Sequence, residues 1–197
     1  MPDPDALLML KFRAGETEAF TEIVKRHQRA LVRFFFGLVW DRHAAEDLAQ
    51  EVFVRLYTHA AHYEPKAKFT TYLYRVARNL WIDRVRSQAV HPRPASLDRK
   101  LGGDSDDEAT LGDSIGAART PSPVDTAVQA ETRMRLRKAI ESLPDEMRDV
   151  LFLAETQGLR YEEIGEILEI PVGTVKSRVH AAVGRLREIL GSGGGNE

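Results

Sequence analysis

The segment from residue 159 to 190 constrains the fold most strongly, because its apolar residues recur as in two amphipathic helices separated by a short break. It reads LRYEEIGEILEIPVGTVKSRVHAAVGRLREIL. The first helix is predicted over 161–168, and Pro171 can begin the second because the first helical residue needs no backbone donor. Only Glu169 and Ile170 lie between them. This connection length predicts a helix-turn-helix inside an all-α domain.

The second of these helices, predicted over 171–187, has two unlike faces at about 100° per residue. The face predicted to pack in a core carries Val175, Val179, Ala182, Val183 and Leu186. The opposite face carries Thr174, Ser177, His180, Ala181, Gly184 and Arg185, flanked by Lys176, Arg178 and Arg187. Because no acidic residue occurs from 171 to 187, we expect this face to enter a DNA major groove with its cations near the phosphates. The alternative is ordinary packing of two helices in a bundle.

The distribution of charge supports a nucleic-acid partner although the net charge is −2. Residues 1–95 hold 15 Lys and Arg against 11 Asp and Glu, residues 96–130 hold 3 against 7, and residues 131–197 hold 10 against 12. The basic residues form two runs, one from Lys68 to Arg93 and one from Lys176 to Arg187. Two basic surfaces predict two contacts on one nucleic acid.

Composition limits the other classes of protein. With no cysteine, the chain can form neither a disulfide scaffold nor a thiolate metal site. The N-terminus MPDPDALLML is acidic, unlike a secretory signal, and no segment approaches the roughly 20 apolar residues of a membrane span. We expect a soluble, cytoplasmic protein without membrane insertion.

The predicted organisation is all-α, with two small helical domains joined by a flexible linker. Residues 1–88 form an N-terminal bundle, with helices predicted over 5–13, 17–39, 42–59 and 70–87. Residues 89–123 are rich in Pro, Gly, Ser and Asp and predict a flexible acidic linker. Residues 124–190 form a second domain of four helices, in which Gly158 caps the second of them. Residues 191–197 predict a disordered tail.

The third helix carries a polar patch within the sequence DLAQEVF. Asp47, Gln50 and Glu51 form the patch, and Phe53 lies in the same motif. Acidic residues one turn apart repel by a few tenths of a kcal/mol, roughly, so a basic partner would stabilise them. The alternative is a solvated helix face.

The fourth helix mixes aromatic residues with cations. Its candidate nucleic-acid contacts are Lys68, Phe69, Tyr72, Arg75, Arg78, Asn79, Arg84 and Arg86. Aromatic rings can stack on unpaired bases while the cations follow the backbone, and the Asn79 amide could read a base edge. Some of these rings must instead belong to the core, and Trp81 is assigned to it because it falls with Val76, Ala77 and Leu80.

Two other classes of function were weighed. A response-regulator type of transcription factor shares the helix-turn-helix, but its receiver domain would alternate strands and helices, whereas this N-terminus shows only helices. An enzyme would need a reactive constellation, and the metal-like group of His59, His62 and Glu64 lacks a further ligand. We therefore predict no catalytic residue, no metal and no cofactor.

Taken together, three motifs resemble bacterial RNA polymerase sigma factors of the extracytoplasmic-function (ECF) class. They are DLAQEVF, FTTYLYRVARNLWIDRVR and LPDEMRDVLFLAETQGLRYEEIGEILEIPVGTVKSRVHAAVGRLRE, in this order. The resemblance covers residues 7–87 and 126–190. It implies a dissociable specificity subunit whose N-terminal domain is sigma region 2 and whose C-terminal domain is sigma region 4, while the polymerase performs the chemistry.

The resemblance also implies roles for the candidate residues. Asp47, Gln50, Glu51 and Phe53 would face the clamp helices of the largest polymerase subunit, and the polymerase flap would be a further contact. Residues 68–86 would recognise and open the −10 promoter element, with Asn79 and the aromatics near Tyr72 handling a flipped base.

The −35 element would be read by Thr174, Lys176, Ser177, Arg178, His180, Ala181, Arg185 and Arg187. The acidic linker would thread the polymerase channels, and an anti-sigma factor is an expected partner. Two departures from the family pattern stand out: Tyr72 occupies a position where Trp is common, and Arg75 and Val76 replace the paired tryptophans of housekeeping sigma factors. We expect weaker melting and stricter promoter choice.

Overall fold

The computed structural model describes residues 3–90, 123–155 and 159–191, and over these ranges it contains helices and no strand. The α-helices are α1 Pro4–Arg13, α2 Thr17–Val39, α3 Arg42–Thr58, α4 Phe69–Val90, α5 Pro123–Glu141, α6 Asp145–Glu155, α7 Tyr161–Leu168 and α8 Val172–Gly191. A 3-10 helix at Ala60–His62 follows α3. The predicted all-α fold class is confirmed.

Several predicted boundaries change by a few residues. Residues 89, 90 and 123 belong to α4 and α5 and not to the linker, and Gly191 closes α8 instead of beginning the tail. The predicted linker over 91–122, the Gly158 cap and the tail over 192–197 lie outside the described residues.

Aspartates cap two helices of the N-terminal domain, and one of these aspartates also binds the start of α4. Asp3 accepts a hydrogen bond from the Asp5 backbone N–H at 3.0 Å, which caps α1, and another from the Phe69 N–H at 2.6 Å, at the start of α4. One carboxylate therefore ties the first helix to the last helix of this domain. Asp41 caps α3 in the same way, by accepting from the Ala44 N–H at 2.9 Å.

The core of the N-terminal domain follows the apolar stripe of α2. Its buried members are Ile23, His27, Leu31, Phe34 and Phe35, as the helical period predicts. Removing each apolar side chain of this kind from water contributes about 1.5–3 kcal/mol. His27 is accommodated because its Nε2 lies 3.0 Å from Asp5 Oδ2 on α1. Both α1 and α3 pack against α2.

The predicted helix-turn-helix is present in the C-terminal domain as α7 and α8. Helix α7 ends at Leu168 and is followed by Glu169, which adopts a left-handed conformation with φ 58°. A Cβ on Gly165 would lie 2.8 Å from the Ile170 carbonyl oxygen, and this oxygen belongs to the turn itself. Glycine at this position therefore lets the turn fold back closely onto α7. Val175 and Ala182 of α8 are fully buried, as predicted.

The two domains pack against each other. Helix α4 contacts α7, and α2 contacts α6, so that one apolar cluster runs from Phe35 through Leu73 to Phe152 and Ile164. The sequence predicts two domains joined by a linker and does not anticipate this contact. Its consequence is that one side of α4 faces the C-terminal domain.

Candidate nucleic-acid interface

The polar patch predicted on α3 lies on the surface, but its aromatic member does not. Asp47, Gln50 and Glu51 are exposed. Phe53 is only 8% exposed and packs edge-to-face on Phe20 with ring centroids 6.5 Å apart. The prediction that Phe53 contacts a partner directly is therefore corrected: its ring supports the patch from inside.

Two exposed apolar residues extend this patch and were missed by the sequence analysis. Val54 and Tyr57 are 54% and 55% exposed and follow Gln50 and Glu51 on the outer side of α3. The Tyr57 ring lies 5.0 Å from the Phe12 ring and 5.4 Å from the Phe20 ring. The available signal was the helical spacing, since Val54 is four residues from Gln50 and three from Glu51, and Tyr57 is three residues from Val54. We call Asp47, Gln50, Glu51, Val54 and Tyr57 the α3 surface.

A side-chain network connects the α3 surface to α4. Arg55 Nε donates to Glu51 Oε1 at 3.2 Å, and Arg55 Nη1 donates to Asp83 Oδ2 at 3.4 Å. These pairs are exposed, so each contributes at most about 1 kcal/mol. They leave Glu51 accessible to a cationic partner because its side chain remains 49% exposed.

The aromatic residue predicted to begin the DNA contact on α4 lies in the core. Phe69 is completely buried, between His27 at 5.3 Å and Tyr63 at 6.2 Å, measured between ring centroids. The prediction that Phe69 binds DNA is therefore corrected. The Phe69 N–H donates to Asp3 at 2.6 Å, so the start of α4 is tied to α1 beside this buried ring.

The remaining predicted residues of α4 are accessible to different degrees. Arg75, Asn79, Arg84 and Arg86 are exposed, whereas Tyr72 and Arg78 are half-buried. Burial raises the pKa of the Tyr72 phenol, which keeps this ring uncharged at neutral pH. We call Lys68, Tyr72, Arg75, Arg78, Asn79, Arg84 and Arg86 the α4 surface. Trp81 is half-buried against the core, as expected.

Three cations of the α4 surface are held by the C-terminal domain. Lys68 Nζ lies 2.6 Å from Glu163 Oε1 on α7. Arg75 donates from Nη2 to the Glu166 backbone carbonyl at 3.2 Å. Arg78 Nε lies 4.0 Å from Asp149 Oδ2 on α6.

Burial makes ionisation of the Asp149 carboxylate less favourable. Burial raises its pKa, and Asp145 adds to this effect, while Arg78, Arg148 and Arg178 act in the opposite direction. Because burial is the largest of these causes, the arginines do not fully compensate the loss of hydration. The contact between Arg78 and Asp149, at 4.0 Å, is also longer than the 2.6 Å contact between Lys68 and Glu163.

The outer face of α8 is open. Lys176, Ser177, His180, Arg185 and Arg187 are exposed, and Thr174 and Ala181 are half-buried beside them. Ser177 donates its hydroxyl to the Thr174 carbonyl at 3.0 Å. We call Thr174, Lys176, Ser177, His180, Ala181, Arg185 and Arg187 the α8 surface.

Arg178 departs from the prediction made for the −35 contact. It pairs with Glu146 of α6, and its side chain is only 27% exposed. The helical wheel placed Arg178 at the flank of the outer face, and the wheel could not show that Glu146 of α6 lies beside it.

Within the described ranges, no group of three His, Asp or Glu residues is arranged to hold a metal ion. Glu64, a member of the weighed metal-like group, pairs instead with Lys66 at 2.6 Å. None of the helices in residues 3–90, 123–155 and 159–191 combines the length and the hydropathy of a membrane span.

Comparison with known proteins gives two family matches in the same chain. Residues 23–90 match Sigma-70 region 2, and residues 133–186 match Sigma-70, region 4. The chain is 36% identical over 178 residues to ECF RNA polymerase sigma factor SigW of Bacillus subtilis (strain 168), covering 90% of this chain and 92% of that one. This chain belongs to the ECF sigma factors.

Solved structures of similar fold support the assignment of the architecture. The structure of CnrH in complex with the cytosolic domain of CnrY matches with a TM-score of 0.69 and 20% identity, covering 96% of this chain and 99% of that one. The sigma factor RpoE, in complex with the anti-sigma factor NepR from Bartonella quintana, matches with a TM-score of 0.61 and 23% identity, over 87% of this chain and 96% of that one.

Membership of the family fixes the general function. This sigma factor is an alternative specificity subunit that binds core RNA polymerase and promoter DNA for transcription initiation. Region 2 corresponds to α2, α3 and α4, and region 4 runs from within α5 into α8. The resemblance expected from the three motifs is confirmed.

Proposed function

We propose that the three surfaces of this sigma factor divide the work of initiation. The α3 surface binds the clamp helices of the largest polymerase subunit, the α4 surface recognises and opens the −10 element, and the α8 surface reads the −35 element. The observation that carries the proposal is the α8 surface, where Lys176, Arg185 and Arg187 are exposed on a helix without acidic residues from 171 to 187.

The α8 surface has the chemistry of a major-groove reader. Arg185 and Ser177 offer donors for base edges, while Lys176 and Arg187 lie at the flanks, where phosphates would run. The small side chain of Ala181 allows the helix to approach the bases closely. The same domain would also contact the polymerase flap.

The α4 surface suits separated strands better than a duplex. Tyr72 is half-buried against Tyr63, with ring centroids 5.1 Å apart, so its exposed part is held in one orientation. A base turned out of the duplex could stack on it, and the Asn79 amide could bind the edge of that base. Arg84 and Arg86 would follow the DNA backbone.

The α3 surface combines negative charge with apolar area. Glu51 and Asp47 would attract a basic partner, and the exposed Val54 and Tyr57 would add apolar contact area. This combination fits a protein partner, because DNA would be repelled by the two carboxylates.

The proposal also states whether the sigma factor catalyses a reaction, where it works and which further partner it has. The sigma factor itself performs no catalysis, since polymerase makes the RNA, and it works in the cytoplasm, where polymerase and promoters are located. An anti-sigma factor is a further proposed partner, by analogy with the RpoE of Bartonella quintana, which was solved in complex with the anti-sigma factor NepR.

The experiment that tests the division of work reverses one charge on α3. Glu51→Arg would place a cation four residues from Arg55 and remove the attraction for a basic partner, so we expect affinity for core polymerase to fall by about tenfold or more. Binding of a −35 duplex by the variant should be unchanged, because α8 is in the other domain. Pull-down with core polymerase and a duplex-binding assay measure the two effects.

Glu22→Arg is the matched control, because Glu22 also forms an i,i+4 pair with an arginine, Arg26, on a different face of the same domain. It should bind core polymerase like the unaltered chain. Normal polymerase binding by Glu51→Arg would overturn the assignment of the α3 surface.

A further inference from the structure

Helix α1 is bonded to both ends of the segment that leads from the 3-10 helix into α4. At one end, Arg13 Nη1 donates to the Tyr63 carbonyl at 2.8 Å, although 50 positions separate the two residues. At the other end, Asp3 Oδ2 accepts from the Phe69 N–H at 2.6 Å. Asp3 is the N-cap of α1 and Arg13 is its last residue, so one bond lies at each end of the helix. We call Asp3 and Arg13 the α1 brace and residues 63–68 the connection.

The connection contains a tight turn between these two anchors. The Lys66 N–H donates to the Glu64 carbonyl at 2.8 Å across Pro65, whose ring fixes its own backbone dihedral φ. The hydrogen bond from Lys66, its charge and the charge of Arg13 lower the pKa of the Glu64 carboxyl. Because the turn limits the internal freedom of the connection, the two anchors determine where the connection lies.

The connection supports the ring to which the proposed function assigns a flipped base. Tyr63 is 2% exposed, and its ring centroid lies 5.1 Å from that of Tyr72 and 6.2 Å from that of Phe69. The buried Tyr63 hydroxyl makes no hydrogen bond to any residue that the structure describes, so packing and main-chain bonds hold this residue. These bonds include the one from Arg13 and the one from the Tyr63 N–H to the Ala60 carbonyl at 3.1 Å.

We propose that the α1 brace is a positioning element for −10 recognition: Asp3 and Arg13 act without touching DNA, by holding the connection and thereby Tyr63 beneath Tyr72. This inference rests on the proposed function of α4. All of these residues belong to the N-terminal domain, so the brace does not depend on the contact between the two domains.

The brace is expected to affect the choice of base more than the strength of binding. Recognition side chains must be held within about 0.5 Å of their productive positions by the residues that support them. Stacking on Tyr72 tolerates every base, whereas choice among bases comes from edge contacts such as the one proposed for Asn79. A displaced Tyr72 ring would still stack on a base, but the edge of that base would no longer meet its partner.

Arg13→Ala removes the first bond of the brace. Arg13→Lys is the conservative variant, because lysine keeps a cationic donor for the Tyr63 carbonyl. Lys11→Ala is the matched control, since it removes a cation from the same last turn of α1, where Lys11 pairs with Glu16 at 3.8 Å.

Asp3→Asn removes the second bond. Asp3 uses both carboxylate oxygens, because Oδ1 accepts from the Asp5 N–H at 3.0 Å while Oδ2 accepts from Phe69. Asparagine has one carbonyl oxygen, which can keep the cap of α1 but leaves no acceptor for Phe69. Asp41→Asn is the control, because Asp41 caps α3 through the Ala44 N–H and asparagine keeps this cap.

The measurement uses holoenzyme assembled from core polymerase and each full-length variant. The holoenzyme is incubated with a random-sequence pool of single-stranded 20-nucleotide DNA, the bound molecules are sequenced, and core polymerase alone gives the background. Base preference among the bound molecules does not depend on how much of the protein is folded. A variant that is merely destabilised therefore binds less DNA with the same preference. Pull-down with core polymerase checks the α3 surface separately.

We expect the unaltered chain to select a shared motif and Tyr72→Ala to lose about tenfold of the base preference within it. Arg13→Ala and Asp3→Asn should lose about threefold or more of the same preference. The preference should persist in Arg13→Lys and in the controls Lys11→Ala and Asp41→Asn. All of these variants should bind core polymerase like the unaltered chain.

The other results would overturn different claims. Full base preference in both Arg13→Ala and Asp3→Asn, together with its loss in Tyr72→Ala, would refute the brace. Equal loss in Arg13→Ala and Arg13→Lys would refute the hydrogen bond to Tyr63 as the cause. No preference in the unaltered chain, or an unchanged preference in Tyr72→Ala, would instead refute the assignment of α4 to −10 DNA.

Discussion

The two basic helices of this sigma factor differ in what their cations contact within the chain. On α4, Lys68, Arg75 and Arg78 are engaged by the C-terminal domain. On α8, Arg178 is engaged by Glu146, whereas Lys176, Arg185 and Arg187 are exposed. Under the proposed roles, the α8 surface can bind a duplex directly, whereas the α4 surface must first lose an internal partner.

The difference teaches that a basic pattern in a sequence does not distinguish a free surface from one that the protein itself covers. Both helices alternate cations with apolar residues. What separates them is the acidic content of the neighbouring elements, since Glu163 and Asp149 lie opposite α4. Electrostatic contacts of this kind are reversible, which makes them suited to a surface that is used only in one state.

The largest effect is expected for a substitution that disturbs the turn between α7 and α8, because this turn holds the α8 surface in position. Gly165→Ala should destabilise the C-terminal domain by about 1–3 kcal/mol, because a Cβ would collide with the Ile170 carbonyl in the turn. Binding of −35 DNA should fall with it, while the α3 surface still binds polymerase. Denaturant unfolding measures the loss.

Gly184→Ala is the control for this change, because a Cβ at Gly184 meets no atom within 4 Å. It should leave the free energy of unfolding unchanged or raise it by up to about 1 kcal/mol through helix propensity. Equal behaviour of the two variants would mean that the turn does not need a glycine at 165.

A slightly smaller effect is expected for Arg185→Ala on the open surface. Loss of one side chain that binds a base edge costs about 1–3 kcal/mol, so affinity for the preferred −35 duplex should fall by about tenfold while the preference among bases relaxes. Arg135→Ala on α5, also exposed, is the control. Duplex binding across a library of −35 sequences separates the two results, and an unaltered preference in Arg185→Ala would exclude this side chain from base reading.

On the covered surface, Asn79→Ala is predicted to act only in the polymerase-bound state. Affinity of the holoenzyme for a single-stranded −10 segment should fall by about threefold to tenfold, since one base-edge contact is lost. The free chain should change little, because Lys68, Arg75 and Arg78 of its α4 surface are held by the C-terminal domain. An equal loss in both states would contradict the difference between the two helices.

The last prediction concerns the aromatic support beneath α4. Burial raises the pKa of Tyr63 to about 12 from its ordinary value of 10.0. An unfolded chain ionises this phenol at a lower pH than the folded chain does. The contribution of the neutral phenol to the free energy of unfolding is therefore fully present below pH 10, and it is lost as the pH rises through about 12. Tyr63→Phe should lose less stability over this range, as measured by unfolding at stepwise pH; identical pH profiles would show that Tyr63 does not contribute.

Much of the fold could be predicted from the sequence, because local signals were strong. Thr17–Val39 and Tyr161–Leu168 have the predicted bounds, since their apolar periods are regular and each is followed by a residue in the left-handed conformation, Trp40 and Glu169. The predicted helix ends were wrong where the apolar residues no longer recur regularly, as at the end of α4 and at the end of α8.

The candidate sites could be predicted only in part. Phe53 and Phe69 share motifs with exposed residues. Both rings are nevertheless buried, because Phe53 packs against Phe20 and Phe69 packs against His27. The contacts of α4 with the C-terminal domain were not predictable, because Arg75 and its partner Glu166 are separated by 91 positions. No local pattern carries information over this distance.

The central claim is that α4 and α8 contact two elements of one promoter while the chain is bound to polymerase. The most direct measurement is the sequencing of transcripts made in vitro by core polymerase, with and without this sigma factor, on a genomic template pool. We expect new start sites that share a −10 and a −35 motif at a fixed spacing. The same start sites in both reactions would contradict the account.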